Sequence, residues 1–152
     1  MRPIRIALAA LISVSSLSAC GGGRHPAAGP PPASGIGAPA PASAVEQFIG
    51  LAGQQKYVEM GYVFGNVRGP IAERQAPQRV ARRMEALATL LRNDGYSILG
   101  VVPVAARPEA RAVTVQLRRG RRNTEVPFTV VQGPGGRWLV EVVDVQALAG
   151  GA

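Results

Sequence analysis

At Asn93-Asp94-Gly95 the hydrophobic period of the chain changes, and that switch constrains the fold more than any other feature. Upstream, Val80, Met84, Leu87 and Leu91 recur at i, i+4, i+7 and i+11, along one side of a helix. Downstream, Val113, Val115 and Leu117 alternate with Thr114, Gln116 and Arg118, and Val126, Phe128 and Val130 repeat the pattern. A period of two belongs to half-buried strands. Helices first and strands afterwards predict an α+β domain: two to three helices packed on a curled antiparallel four-stranded meander.

Local signals set the expected boundaries. Ser43-Ala44-Val45-Glu46 matches a capping box, so the first helix is expected to start there. Val45, Phe48, Ile49 and Ala52 form its apolar stripe, and Gly50 and Gly53 weaken it, so it is expected to end by Lys56. Tyr57 to Phe64 reads as a second short helix or a turn, and no strand is expected between Tyr57 and Pro77. Phe64 to Ile71 reads as a glycine-punctuated loop, either a turn between helices or a ligand lid. Pro77 suits a first helical turn, and the long helix is expected over 76–94, with Gly95 as a left-handed stop. Strands are then expected over 98–104, 112–119, 124–131 and 138–145.

The amino-terminal part is not expected to join that domain. Residues 21–43 are Gly, Pro, Ala and Ser except Arg24, His25 and Ile36, so they bury too little apolar surface to offset their ordering entropy. The segment reads as a tether, spanning about 25 Å as a coil or up to 70 Å as extended polyproline. Before it, Arg2 and Arg5 precede an apolar run, Ile6 to Leu17, of about 18 Å as a helix. A bilayer core needs about 30 Å, so a signal peptide is the expected reading. Leu17-Ser18-Ala19-Cys20 resembles the lipobox of bacterial lipoproteins. That resemblance implies a diacylglyceryl group on the Cys20 thiol, cleavage between Ala19 and Cys20, and a new α-amine open to further acylation. Two or more chains anchor a protein stably. Gly21 resembles the outer-membrane default of diderm bacteria, facing the periplasm; in a monoderm the anchor would lie on the outer face of the plasma membrane. The expected organisation is a signal peptide over 1–19, a lipidated cysteine and tether over 20–43, a folded domain over 44–148 and a tail over 149–152.

The order of elements over 44–148, ending in Arg137-Trp138-Leu139-Val140, resembles the cone-shaped domains of the nuclear transport factor 2-like, or cystatin-like, class. Phe64-Gly65 with Gly69-Pro70-Ile71, Arg83-Met84, Leu90 to Asp94 and Val126 to Val131 resemble a group of uncharacterised bacterial lipoproteins. The cone resemblance implies a pocket between sheet and helices, lined by Phe48, Met84, Leu87, Phe128, Val130 and Trp138. Members of that class include enzymes, binding modules and dimerising modules, so fold alone does not settle function.

The chemistry available to the domain is narrow. Cys20 is the only cysteine and His25 the only histidine, and both precede residue 44. This excludes an intramolecular disulfide, a cysteine-rich zinc site, and Ser-His-Asp or Cys-His catalysis within the domain. No cofactor is implied. The candidate acids are Glu46, Glu59, Glu73, Glu85, Asp94, Glu109, Glu125, Glu141 and Asp144. Glu141 and Asp144 are expected on opposite faces of the last strand, placing at most one in the cone as a general base. Seventeen basic against nine acidic residues give +8; without Arg2 and Arg5, fifteen against nine leave +6. An exported basic chain suits anionic lipid or an envelope polymer, not nucleic acid. Arg118, Arg119, Arg121 and Arg122 cluster at one hairpin, either as an anion-binding tip or as a solvated turn that deters edge pairing. The readings left open are a non-enzymatic binding or assembly module, an enzyme with an acid in the cone, and a structural lipoprotein that dimerises through the outer face of its sheet or binds a protein partner.

Overall fold

The computed structural model describes residues 36–149. The signal-like segment, Cys20, His25 and most of the Gly/Pro/Ala tract lie outside the described residues, as do residues 150–152. In chain order come α1 (Pro41–Gly53), α2 (Tyr57–Val63), β1 (Gly65–Asn66), β2 (Gly69–Pro70), α3 (Pro77–Leu90), β3 (Gly95–Val104), β4 (Arg107–Arg119), β5 (Arg122–Gln132), β6 (Trp138–Val143) and α4 (Val145–Ala149). The fold is α+β, and β3 to β6 form an antiparallel sheet in sequence order.

Register explains why the alternating segments bury one face. Val113 pairs with Phe128 and Val115 with Val126, and Phe128 pairs in turn with Val143. Partners across a ladder share a face, so these residues form one apolar surface, with Leu117, Val130 and Val140 continuing it. Helix α1 lays Val45, Phe48 and Ile49 on that surface, while Val80 and Met84 of α3 close the same core from outside. Burying each such side chain contributes about 1.5–3 kcal/mol. A smaller cluster of Ala110, Val131 and Leu139 lies on the opposite sheet face, with Val104 against it.

Several boundaries differ from expectation, each for a local reason. Helix α1 begins at Pro41, and neither Ser43 nor any other side chain caps it. Proline at the first helical position presets the backbone and starts the helix two residues before the capping box. The last part of the expected tether is therefore folded. Ala38 and Trp138 exchange backbone hydrogen bonds of 2.8 and 2.9 Å, and Arg137 donates to the Ile36 and Gly37 carbonyls.

Helix α3 ends at Leu90, and Gly95 opens β3 in extended conformation instead of stopping the helix. Side chains satisfy the final carbonyls: Asn93 Nδ2 donates to Leu91 O at 2.9 Å, and Arg119 donates to Leu90 O and Arg92 O. A left-handed glycine is one way to meet orphan carbonyls; here side chains meet them.

The loop between α2 and α3 contains a short ladder, against expectation, in which Gly65 pairs with Pro70 and Asn66 with Gly69. Phe64 also bridges to Val140 of β6 in parallel register, so the ladder joins the helices to the sheet edge. Strand β6 stops at Val143, and Asp144 caps α4, its Oδ1 accepting from the Gln146 and Ala147 N–H groups.

Candidate functional site

The pocket implied between sheet and helices is filled. Phe48, Met84, Phe128 and Val130 have no exposed surface, and Leu87 and Trp138 pack against the same core from partly buried positions. With α1 seated directly on the sheet, Phe48 occupies the space a hollow cone would leave, its ring 5.6 Å from that of Phe64. These six residues are core, not pocket lining.

The arginine hairpin is likewise committed in part to structure. Arg118 Nη2 donates to Asp94 O at 3.1 Å, the Asp94 N–H donates to Arg118 O at 2.8 Å, and the Gly120 N–H donates to Asp94 Oδ2 at 2.6 Å. With Arg119 on the α3 carbonyls, the β4–β5 tip clasps residues 90–94. A cation at a helix C-terminus is favoured by the partial negative charge there. Arg121 and Arg122 stay exposed at the tip. The cluster therefore does not present four uncommitted cations to an anion.

What the clasp positions is a cleft. A concavity of about 580 Å³ opens between the C-terminal ends of α1 and α3 and the start of β3. Its apolar side comes from Ile49, Ala52, Ala88 and Leu91. Its polar lining residues are Gln55, Thr89, Arg92, Asn93 and Asp94, joined by Tyr57 and Tyr96, which also pack against the core. Partial burial, with the Glu46 carboxylate nearby, pushes the Tyr96 phenol above its usual value and keeps it protonated at neutral pH. No family model, no curated protein and no solved structure matches the chain.

Two local choices in the cleft wall run against the stability of the fold. Gly50 and Gly53 lie in α1 and line the cleft, yet a Cβ at either would meet nothing within 4 Å. Packing does not require glycine at either position, and Gly50, inside the helix, costs about 1 kcal/mol relative to alanine, whereas Gly53 is the last helical residue. Gln55 shows the converse. The Lys56 N–H donates to Leu51 O and the Gln55 N–H to Ala52 O, which makes Gln55 the left-handed residue of a Schellman ending, at φ +58°. Glycine is the usual occupant, and a residue with a Cβ costs about 1 kcal/mol there. Gln55→Gly is accordingly expected to stabilise the module by about 1 kcal/mol in urea denaturation while removing one polar wall of the cleft.

Glu141 and Glu109 converge on one arginine. Glu141 is ion-paired with Arg107 at 2.8 Å, and Glu109 meets the same guanidinium at 3.1 Å. Its backbone N–H and Arg107 together hold the Glu109 carboxyl below its usual range. Asp144 lies beyond β6 as a helix cap, so the expected alternation of Glu141 and Asp144 on one strand does not occur. Among the described residues no polar or charged side chain is fully buried, and no group of three or more His, Cys, Asp or Glu is placed to hold a metal ion. No helix among them is long and apolar enough to cross a membrane.

In the sequence, Asn93 and Asp94 read as a helix stop and Gly50 and Gly53 as weaknesses. Paired helical glycines beside an apolar stripe were the available signal for the cleft. Gln55, Tyr57, Thr89, Arg92 and Tyr96 carried none, because only the fold brings them together.

Proposed function

We propose that this chain is a lipid-anchored protein of the bacterial cell envelope whose folded module binds a ligand in the α1/α3/β3 cleft without transforming it. The cleft carries the binding part of this reading. It combines apolar and polar lining residues, the usual composition of a ligand site, and its glycines Gly50 and Gly53 are not required by packing. Its one acid, Asp94, accepts a hydrogen bond from Gly120 and has no basic partner arranged for proton transfer. The anchoring part rests on Arg2, Arg5, the apolar run and the lipobox-like Leu17 to Cys20. The tract that follows would hold the module away from the membrane surface.

Cys20→Ser tests the anchor. In the native host the variant is expected to lose the acyl mass and leave the membrane pellet in cell fractionation. A variant that stays in the pellet, with an unmodified wild-type amino terminus, contradicts the lipoprotein reading.

A second reading, self-association through the sheet, is favoured by one observation. Strand β3 is an edge without a charged residue, and Leu99 and Val102 on it are 49% and 56% exposed. Native proteins blunt such edges with charge, proline, bulges or cover, and β3 has Pro103 and two register irregularities, between Ile98 and Gly100 and between Pro103 and Val104.

A further inference from the structure

Resting on the binding role proposed for the cleft, we propose that the ligand belongs to a specific chemical class: a neutral oligosaccharide, bound across Tyr57 and Tyr96 and held by Gln55, Arg92, Asn93 and Asp94. Charge is the first discriminator. Arg92 and Asp94, opposite in charge, both line the cleft, so a polyanion would meet the Asp94 carboxylate and a cation would meet the Arg92 guanidinium. Polarity is the second. A lipid tail would offer no partner to the Gln55 amide and the Arg92 guanidinium that line the cleft, at a desolvation penalty. A small polar ion would leave the apolar wall wet and most of the 580 Å³ unused.

A sugar fits both walls. Its ring C–H surface suits tyrosine rings and aliphatic side chains, and tyrosine adds a hydroxyl at the edge of its apolar body. Vicinal hydroxyls offer paired donors and acceptors. Asn and Gln amides, a carboxylate and a guanidinium are the side chains that can engage two neighbouring groups at once. The amides also match the acetamido group of an amino sugar. The volume lies within the range of about 300–1,000 Å³ usual for ligand sites. Gly50 and Gly53 then have a role that packing does not give them: they keep the α1 wall low where a ring must lie against it. Gln55 has one too, holding an amide at the rim where glycine would end the helix with less strain.

The test uses the full lipoprotein in a polyoxyethylene detergent, because sugar-headed detergents would compete. Chitotetraose and maltotetraose are titrated in by calorimetry, against wild type and Gly50→Leu. Leucine favours the helix and projects into the cleft, so the variant is expected to melt higher than wild type and to bind at least one of the two sugars more weakly by about tenfold or more. Equal affinity in the two proteins overturns the proposal, because the sugar then binds elsewhere. Failure of both sugars to bind wild type also overturns it. In that case, a co-purified adduct in the native mass spectrum that Gly50→Leu loses would leave the cleft a binding site for another class, and the lack of such an adduct would remove the binding reading as well.

Discussion

Phe128→Ala is expected to destabilise the folded module by about 4 kcal/mol, lowering the urea midpoint without changing the slope of the transition. Phe128 lies on the inner face of β5, paired with Val113 and Val143, and none of its surface is exposed. Its neighbours in the core include Phe48 and Val126, both fully buried. Removing a buried ring forfeits its transfer free energy and leaves a cavity the surroundings only partly refill. The size of the effect separates two pictures of the concave face. In an open pocket, water would fill the vacated space and the loss would approach the transfer part alone, about 2 kcal/mol. In the packed face the cavity contribution adds to it. Since single domains are stable by about 5–15 kcal/mol, the variant should retain only marginal stability.

Gly65→Ala is expected to cost about 3 kcal/mol, although the residue is small and lies in a two-residue strand. A Cβ at Gly65 would stand 2.3 Å from Gly69 O and 2.7 Å from Pro70 Cα. Both are backbone atoms of the paired strand, so no rotamer change relieves the clash and the ladder must open. Opening it affects more than a loop. Arg74 donates to Gly69 O at 2.9 Å and to Pro70 O at 3.3 Å, and the Ile71 N–H donates to Phe64 O at 2.9 Å. Phe64 itself stacks on Phe48, bridges to β6 and carries the Arg83 guanidinium 5.0 Å above its ring. Chemical denaturation of the variant measures the cost. Loss of less than about 1 kcal/mol would show that the ladder yields easily, as a mobile lid would, and would restore the lid reading of Phe64 to Ile71.

How legible the fold was depended on the kind of signal. The stripe of Val80, Met84, Leu87 and Leu91 and the alternation through Val113 to Leu117 are periodic and strong, and every one of their apolar residues is buried except Leu87, which is partly buried. Boundaries set by single residues were less secure. Ser43 matched a capping box, but Pro41 two residues earlier had the stronger claim on the helix start. Gly95 resembled a helix stop, but Arg119 and Asn93 cap those carbonyls, one from a strand more than twenty residues away. The β1–β2 ladder was invisible because two-residue strands have no period. Burial misdirected the site. Large apolar residues that would line a hollow cone are the same residues that fill a solid one, and no local pattern separates the two cases. The cleft arises where four elements end, from residues with no shared spacing.

The central claim is that the envelope-anchored module binds a ligand in the α1/α3/β3 cleft, and a native mass spectrum tests it most directly. The full-length protein is extracted gently from its native host, beside the Gly50→Leu variant, and both are activated mildly in the gas phase. The account predicts a lipidated monomer carrying a small adduct that is shed on activation and is missing from Gly50→Leu. A bare dimer in both samples would contradict it, and the exposed edge of β3 would then be the surface to mutate.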